Sequence, residues 1–591
     1  MAKITTATNE RVYQIKKWLG LNENPDGDTG LKFGEASVMR NFRITRENHL
    51  QVRAGYAQRF QLGSGPVRCL WDGYVSGAHV FLAVCGNHLW RIDGEAPVDC
   101  GEVAGDSASI FGFAKKAYVL TGSEYYCWDG ARLAVVDGYI PVVAVATPPA
   151  GGGTLLEAVN KLTGKRRQKF SPDGNAKVFQ LAEKDLAAID SVEINGSAAT
   201  GWTGDPKAGT VTFATAPAKA VNNLTVTYDK GEADRSAVTA MRYAELFNGA
   251  TDNRVFLYGD GSNRTIYSDL DDDGQPTAEY FPDLNVLDAG SANTPVTGMI
   301  RHFSRLLVFK LDGAYSVTSS TVTLADESTT SAFYLTPVQR EVGNAAMGQV
   351  RLVYNNPRTL HGGAVYDWKG SYTYITSDER VVKRVSQRVE ETLQSFDLAA
   401  CVTWDDEETQ EYYICWSGQA LVHNYGNDTW YFYDNFPVQC MERFEGELYF
   451  GTPTGELMHF ARQYRSDNGV ELAAYWESGA MDFEMDWKRK YSSDLWVSIE
   501  PESQARVNLA MKSNRRGDYP EKVIFSNLAT FFPVNFAHFS FLTNREPQVK
   551  RARIKIKKFV YSTLMFSSVS RSSTVTILGV DFKVRYTGNV K

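Results

Sequence analysis

Residues 81–94 read FLAVCGNHLWRIDG, and residues 117–130 read AYVLTGSEYYCWDG. Both have one layout: an apolar run, a turn opened by Gly86 or Gly122, a second run with aromatic rings, and an Asp-Gly pair. Gly86 and Gly122 are 36 residues apart, and so are Asp93 and Asp129. Strand, turn, strand, turn at a fixed period of a few tens of residues marks a repeat architecture. A period of about 40 residues with several short strands per unit is that of propeller blades.

Similar strands recur at 254–258, at 306–311 before Asp312-Gly313, and at 370–375, 412–416, 420–425 and 446–450. Hairpins near 85, 121, 256, 310, 372, 417 and 451 predict a β-propeller of six or seven blades. Trp71, Trp90, Trp128 and Trp368 fall at blade spacing, which suits cores better than a binding groove. One helix is expected to interrupt the strands, where Val385, Val389, Leu393 and Phe396 keep helical spacing.

At 591 residues the chain exceeds one core, and about 150 residues per domain gives roughly three or four units. Aromatic residues make up 12%, which favours strands, where flat rings pack on a pleated surface. No run of 18 apolar residues occurs, so no membrane span is expected. The N-terminal MAKITTATNERVYQIKKW lacks the apolar core of a secretory signal. The seven cysteines, Cys69, Cys85, Cys100, Cys127, Cys401, Cys415 and Cys440, contain no C-x-x-C and read as reduced core residues. A net charge of −7 argues weakly against high-affinity nucleic-acid binding, and leaves room for a protein that DNA slides past without sticking.

The expected organisation is an all-β chain of five segments. Residues 1–60 are an N-terminal arm and a first propeller hairpin, in which Val38, Phe42 and Ile44 face Leu50, Val52 and Tyr56. Residues 61–150 begin the β-propeller proper and end at the linker-like PPAGGG of 148–153. Residues 151–232 hold several short alternating strands and read as an inserted small β-sandwich, with Lys165-Arg166-Arg167 in a solvated loop. Residues 233–470 resume the propeller, and residues 471–591 form a C-terminal β-sandwich.

Three groups of residues bear on possible sites. Asp269, Asp271 and Asp273, in DLDDDG, fit the front half of a calcium loop, where alternate carboxylates face one cation. The twelfth position is Tyr280 rather than a bidentate Glu, so Ca2+ is the one cofactor candidate and an acidic surface turn is the alternative. Asp405, Asp406, Glu407 and Glu408 read as one exposed hairpin turn and not as the converging carboxylate pair of a glycosidase. Arg551, Arg553, Lys555 and Lys557 alternate with Ala552, Ile554 and Ile556, which on a strand forms a basic ridge for a neighbouring subunit or for DNA phosphates, or a solvated face. No H-E-x-x-H, G-x-S-x-G or G-x-x-x-x-G-K-[ST] occurs, and no enzymatic activity is expected.

The sequence GEASVMRNFRIT at 34–45, followed by LQVRAGY at 50–56, resembles the opening of bacteriophage tail proteins. It is most similar to the nozzle (tail-tubular or tail-hub) proteins of short-tailed phages. IYSD at 266–269, EYFP at 279–282, the stretch from Asn424-Tyr425 to Trp430-Tyr431, and SGAMDFEMDWKRK at 478–490 resemble the same proteins. GTVTFATAPA at 209–218 and LTVTY at 224–228 resemble a small β-domain often inserted in phage tails. The resemblance implies a structural virion protein. Six copies would form a ring that continues the portal–adaptor channel, retains packaged DNA and conducts it out at infection. Portal, adaptor and tail fibre or spike proteins would be its partners, and genomic DNA would pass without specific binding. The protein would reside in the virion tail after assembly in the bacterial host cytoplasm. The alternative is a host-receptor or carbohydrate-binding propeller of a phage tail.

Overall fold

The computed structural model describes residues 9–24, 30–156, 159–323, 329–371, 379–502, 505–517, 519–526 and 546–590. The strand expected at 370–375 lies, from Tyr372 onward, outside the described residues. The protein is all-β and divides into two compact units. One comprises Met1–Val67, Arg351–Lys369 and Val382–Lys591; the other comprises Arg68–Val350 and Gly370–Val381.

The second unit is built from four-stranded antiparallel meanders taken in chain order. The strands of the first are Val67–Val75, Ala78–Cys85, His88–Arg91 and Val98–Glu102; those of the second are Ser109–Phe113, Lys116–Leu120, Tyr125–Trp128 and Leu133–Val135. The two quoted stretches are therefore the middle hairpins of consecutive sheets. Two more meanders run from Tyr243 to Asp288 and from Val296 to Gln339.

Packing explains why these strands are continuous apolar runs rather than alternating ones. Leu82, Val84 and Leu89 of the first sheet pack on Val119, Tyr126 and Trp128 of the second. Tyr118, Leu120 and Tyr125, on the opposite face of the second sheet, pack on Val255, Leu257 and Ile266 of the third. Phe256 and Tyr258 then face Val296, Leu306 and Val308 of the fourth. An inner sheet is thus covered on both faces, so its central strands, such as residues 117–120 and Val255–Tyr258, are apolar at successive positions.

Between the second and third meanders lies a sandwich. Its larger sheet includes Val142–Thr147, Lys165–Phe170, Ala188–Ile194 and Leu224–Asp229, and its smaller sheet holds Val178–Gln180, Trp202–Asp205 and Thr210–Phe213. Phe170, Phe179, Val211, Phe213 and Tyr228 fill the core. Two expectations are corrected here. PPAGGG is a hairpin turn inside the sandwich, not a linker before it, because Val142–Thr147 pairs with Thr154–Leu155. Gly153 has φ +87° and would place a Cβ 2.7 Å from the Val145 carbonyl oxygen, so only glycine fits that turn. Lys165-Arg166-Arg167 is strand rather than loop: Arg166 is buried and paired with Glu183, and Phe170 on the same strand is in the core.

Of the meander from Arg351 to Arg384 the first unit holds residues 351–369 and 382–384, and it holds the whole of the meander from Val402 to Tyr433. The strands Cys440–Phe444, Glu447–Gly451 and Glu456–Ala461 pair in order, the distant strand Gly55–Gln61 adds to the last of them, and through Ser466–Asp467 this sheet continues into Val470–Ser478. The helix expected around Val389 is short, a 3-10 turn at Gln387–Val389 and an α-turn at Glu390–Gln394. Val389, Leu393 and Phe396 are buried as their spacing predicts, but Val385 donates its amide to Val365 and extends a strand.

The C-terminal sandwich of this unit recruits the start of the chain. One sheet holds Lys488–Ile499, Gln548–Phe559 and Thr576–Asn589, with the hairpin Phe42–Ile44/Leu50–Val52 and the strand Glu10–Ile15 added to Thr576–Asn589. The other holds Val470–Ser478, Ala505–Ser513, Lys522–Ser526, Ser562–Ser570 and Glu35–Arg40. The expected arm is therefore an integral strand. Ile15 and Trp18 are buried, and the Trp18 ring meets those of Trp476 and Phe566 edge-on. Of the expected hairpin, Phe42 pairs with Val52 and Ile44 with Leu50, but Val38 pairs with Glu477 and Tyr56 with Phe460, and the hairpin extends the C-terminal sheet, because its partner is Thr576–Asn589.

Candidate functional site

The motif at 34–56 folds into a buried joint. Asn41 takes φ 55°, a left-handed conformation that asparagine tolerates, and turns the chain from one sheet into the other. Arg53 is 1% exposed. Its Nη1 and Nη2 donate to the two Asp467 carboxylate oxygens at 2.8 and 2.6 Å. Nε donates to Asn41 Oδ1, Nη1 also to the Ala54 carbonyl, and Nη2 to the Asp434 carbonyl. All five guanidinium protons are thus used, and the group lies over the Tyr433 and Phe436 rings. Gly55 follows because a Cβ there would sit 2.2 Å from the Ser466 carbonyl oxygen. Tyr56 closes the joint through its hydroxyl to the Asn435 carbonyl. A lone arginine between the strands Leu50–Val52 and Gly55–Gln61 demands a buried partner when it is itself buried, and that is the signal in LQVRAGY from which Asp467 could have been sought.

Beside this joint lies a cleft of about 1110 Å³, lined among others by Arg43, Arg46, Asp406, Glu408, Glu411 and Arg443. The expected exposed turn at 405–408 is corrected: Asp405 and Asp406 belong to strand Val402–Asp406, and Asp406 is buried. Arg443 reaches both Asp406 oxygens at 2.8 Å and Glu408 at 2.7 Å. Glu411 accepts from Tyr413 at 2.7 Å and from Tyr431, and pairs with Arg43 at 3.0 Å. A glycosidase needs one carboxyl to deliver a proton and a second free to attack or to activate water. Asp406 and Glu411, the buried carboxylates of this cleft, each have both oxygens engaged, so the cleft is braced by ion pairs and hydroxyls.

Asp405 behaves differently. Burial pushes its carboxyl up to about 7, opposed by Tyr425 and Arg358 and reinforced by Glu407 and Asp406. Near it, Arg358 holds Asp367 at 2.6 and 3.1 Å and donates to His423 Nδ1 at 3.0 Å. Because arginine can only donate, Nδ1 must accept, and the ring proton lies on Nε2, which faces Asp428 at 3.2 Å. Burial lowers the His423 pKa, with Asp428 opposing it.

The structure does not gather Asp269, Asp271 and Asp273 around a cation position. Asp269 pairs with Arg254 at 2.9 Å, and Asp271 accepts the backbone amides of Asp273 and Gln275. Asp272 instead pairs with Arg167 of the sandwich at 2.8 Å. These carboxylates serve an arginine pair and a turn. Among the described residues no group of three or more His, Cys, Asp or Glu side chains is placed to hold a metal ion.

Arg551, Arg553, Lys555 and Lys557 are exposed along one side of strand Gln548–Phe559, while Ala552, Ile554 and Ile556 are buried. Arg551 pairs with Asp494 at 2.7 Å, and Arg553 lies 3.8 Å from the same carboxylate. Trp128 and Trp368 are buried, and Trp71 and Trp90 are half-buried. All seven cysteines are free thiols.

No protein-family model matches this sequence, and neither does any curated protein. Among solved structures, a computationally designed protein aligns at a TM-score of 0.29 and 8% identity, over 68% of this chain and 99% of its own. The extracellular domain of a putative hybrid two-component system from B. thetaiotaomicron aligns at 0.21 and 9% identity, over 74% and 58%. A glycoside hydrolase family 43 arabinoxylan arabinofuranohydrolase from Bacillus subtilis aligns at 0.16 and 7% identity, over 58% and 78%. Likenesses this slight carry no argument.

Proposed function

We propose that the protein is a structural virion component, the tail nozzle of a short-tailed bacteriophage, built on a seven-bladed β-propeller. The six four-stranded meanders would be blades, and the sheet of residues 440–461 completed by Gly55–Gln61 would be the seventh. That completion carries the reading, since joining an early and a late strand of the chain in one blade is how a propeller closes its ring. Consistent with it, the first strands of several neighbouring sheets within each unit lie side by side, as strands around a central channel do. Ser109–Phe113 neighbours Tyr243–Leu246, and Val402–Asp406 neighbours Cys440–Phe444.

The phage assignment rests on the resemblances at residues 34–56, 266–269, 279–282, 424–431 and 478–490, and Asn41, Arg53, Gly55 and Tyr56 of the first stretch build the buried joint. The test is the mass of the protein in solution, alone and mixed with a portal–adaptor assembly of the same phage. A sixfold ring, or a monomer that becomes sixfold on that assembly, supports a nozzle. A monomer or trimer that ignores the portal and is retained on host polysaccharide refutes it in favour of receptor binding.

A further inference from the structure

The basic ridge is part of a wider charged face. In the same sheet, Lys557, Tyr491 and Arg585 stand in register across three strands, as do Arg551, Trp496 and Asp581. Lys583, at an alternate position to Arg585, is on the same side and reaches Glu10 at 3.0 Å. The face therefore carries Arg551, Arg553, Lys555, Lys557, Lys583 and Arg585, against Glu10, Asp494 and Asp581. Lys555, Lys557 and Arg585 have no ion pair among the described residues. Six cations against three carboxylates leave this face with an excess of positive charge, which an anion would balance.

Its geometry selects the anion. Alternate side chains on a strand recur every ~6.7 Å, so Arg551, Arg553, Lys555 and Lys557 line one side over about 20 Å, with a register irregularity against the neighbouring strand between Arg553 and Ile556. A protein partner offers discrete carboxylates. Duplex DNA offers continuous charge, about one per 1.7 Å of axis, so cations spaced along one side of a strand find phosphates whatever the base sequence. The remainder of the protein is net acidic, which confines attraction to this face. We propose that the outer face of the terminal sheet is a sequence-independent docking surface for the phosphate backbone of duplex DNA. The proposal stands on this face alone, so it and the nozzle reading fail separately.

The test is fluorescence polarisation of a labelled 20-base-pair duplex, titrated with the full chain between about 25 and 200 mM NaCl. Four to six phosphate contacts give log K against log[salt] a slope of about −4 to −5. Lys555→Glu with Lys557→Glu should weaken binding at low salt by about tenfold or more and flatten the slope by about two. Lys177→Glu with Lys219→Glu, on the inserted sandwich, should change neither. An unchanged melting curve of each variant checks that it is folded. No binding at 25 mM NaCl, equal loss in both double variants, or tighter binding of the matching single strand would overturn the proposal; the last would reassign the face to stacking on Trp496 and Tyr491.

Discussion

Replacing Arg53 by methionine removes a buried cation while keeping much of its volume. Asp467, 1% exposed, would be left as a charge with only the Asn435 amide, at 3.1 Å, for company. Breaking a buried pair from one side costs about 3–5 kcal/mol, because the remaining charge is uncompensated. Burial already holds the Asp467 carboxyl above its ordinary range, and Arg53 opposes that shift. Without Arg53 the carboxyl should rise further and bind a proton, which makes the loss depend on pH. It should be full at pH 8 and shrink as pH falls below the new pKa, by up to about 1.4 kcal/mol per unit.

The assay is hydrogen exchange of strands Gly55–Gln61 and Glu456–Ala461, corrected for intrinsic rates at pH 8 and pH 5, since these strands pair directly beside the joint. The double variant Arg53→Met with Asp467→Leu should recover most of the loss, as well-packed apolar replacements of buried pairs do. A loss below about 1 kcal/mol at pH 8, or an equal loss at both pH values, would refute the reasoning.

Further outcomes concern single positions. Asp405→Asn should stabilise the protein at pH 8 by roughly 2–3 kcal/mol, and urea midpoints should show it. The folded carboxyl holds its proton to about 7, whereas the unfolded chain releases it near 3.9, so wild-type stability falls as pH rises through that window and the variant lacks the fall. His423 acts in the opposite sense: its lowered pKa makes the fold lose stability as pH drops below about 6.5, and His423→Gln should remove that share of the acid slope in the same midpoints. Gly55→Ala drives a Cβ into the Ser466 carbonyl and should cost at least about 1–3 kcal/mol, read as faster exchange in Gly55–Gln61 with the inserted sandwich unchanged.

Local pairings were legible and distant ones were not. The hairpins at 81–94 and 117–130 pair residues a few positions apart, so turn and strand appear together in the letters. The ridge at 551–557 was equally plain, since period-two alternation has one meaning on a strand. In contrast, Glu10–Ile15 pairs with residues 580–585, and nothing in either segment names the other. Lys165-Arg166-Arg167 misled because a charge run suggests water, yet alternate positions of that strand point inward and Glu183 satisfies Arg166. Asp405 and Asp406 misled for a related reason. Acidic letters before a turn look exposed until Arg443, 37 residues beyond Asp406, is seen to hold that carboxylate inside.

The pairing of Glu10–Ile15, Phe42–Ile44 and Leu50–Val52 with strands near residue 580 also sets a timetable for synthesis. The ribosome must make about 500 intervening residues before those partners exist, which at 5–20 residues per second is roughly 25–100 s. Throughout that interval the early strands emerge with open edges and uncovered apolar faces, Phe42 and Ile44 among them. The meanders between 67 and 339 can fold as they emerge, because each needs only its own neighbours. The earliest strands to be made are thus among the last to be fixed, and a nascent chain that stalls before residue 576 leaves them exposed to chaperones, proteases and other nascent copies.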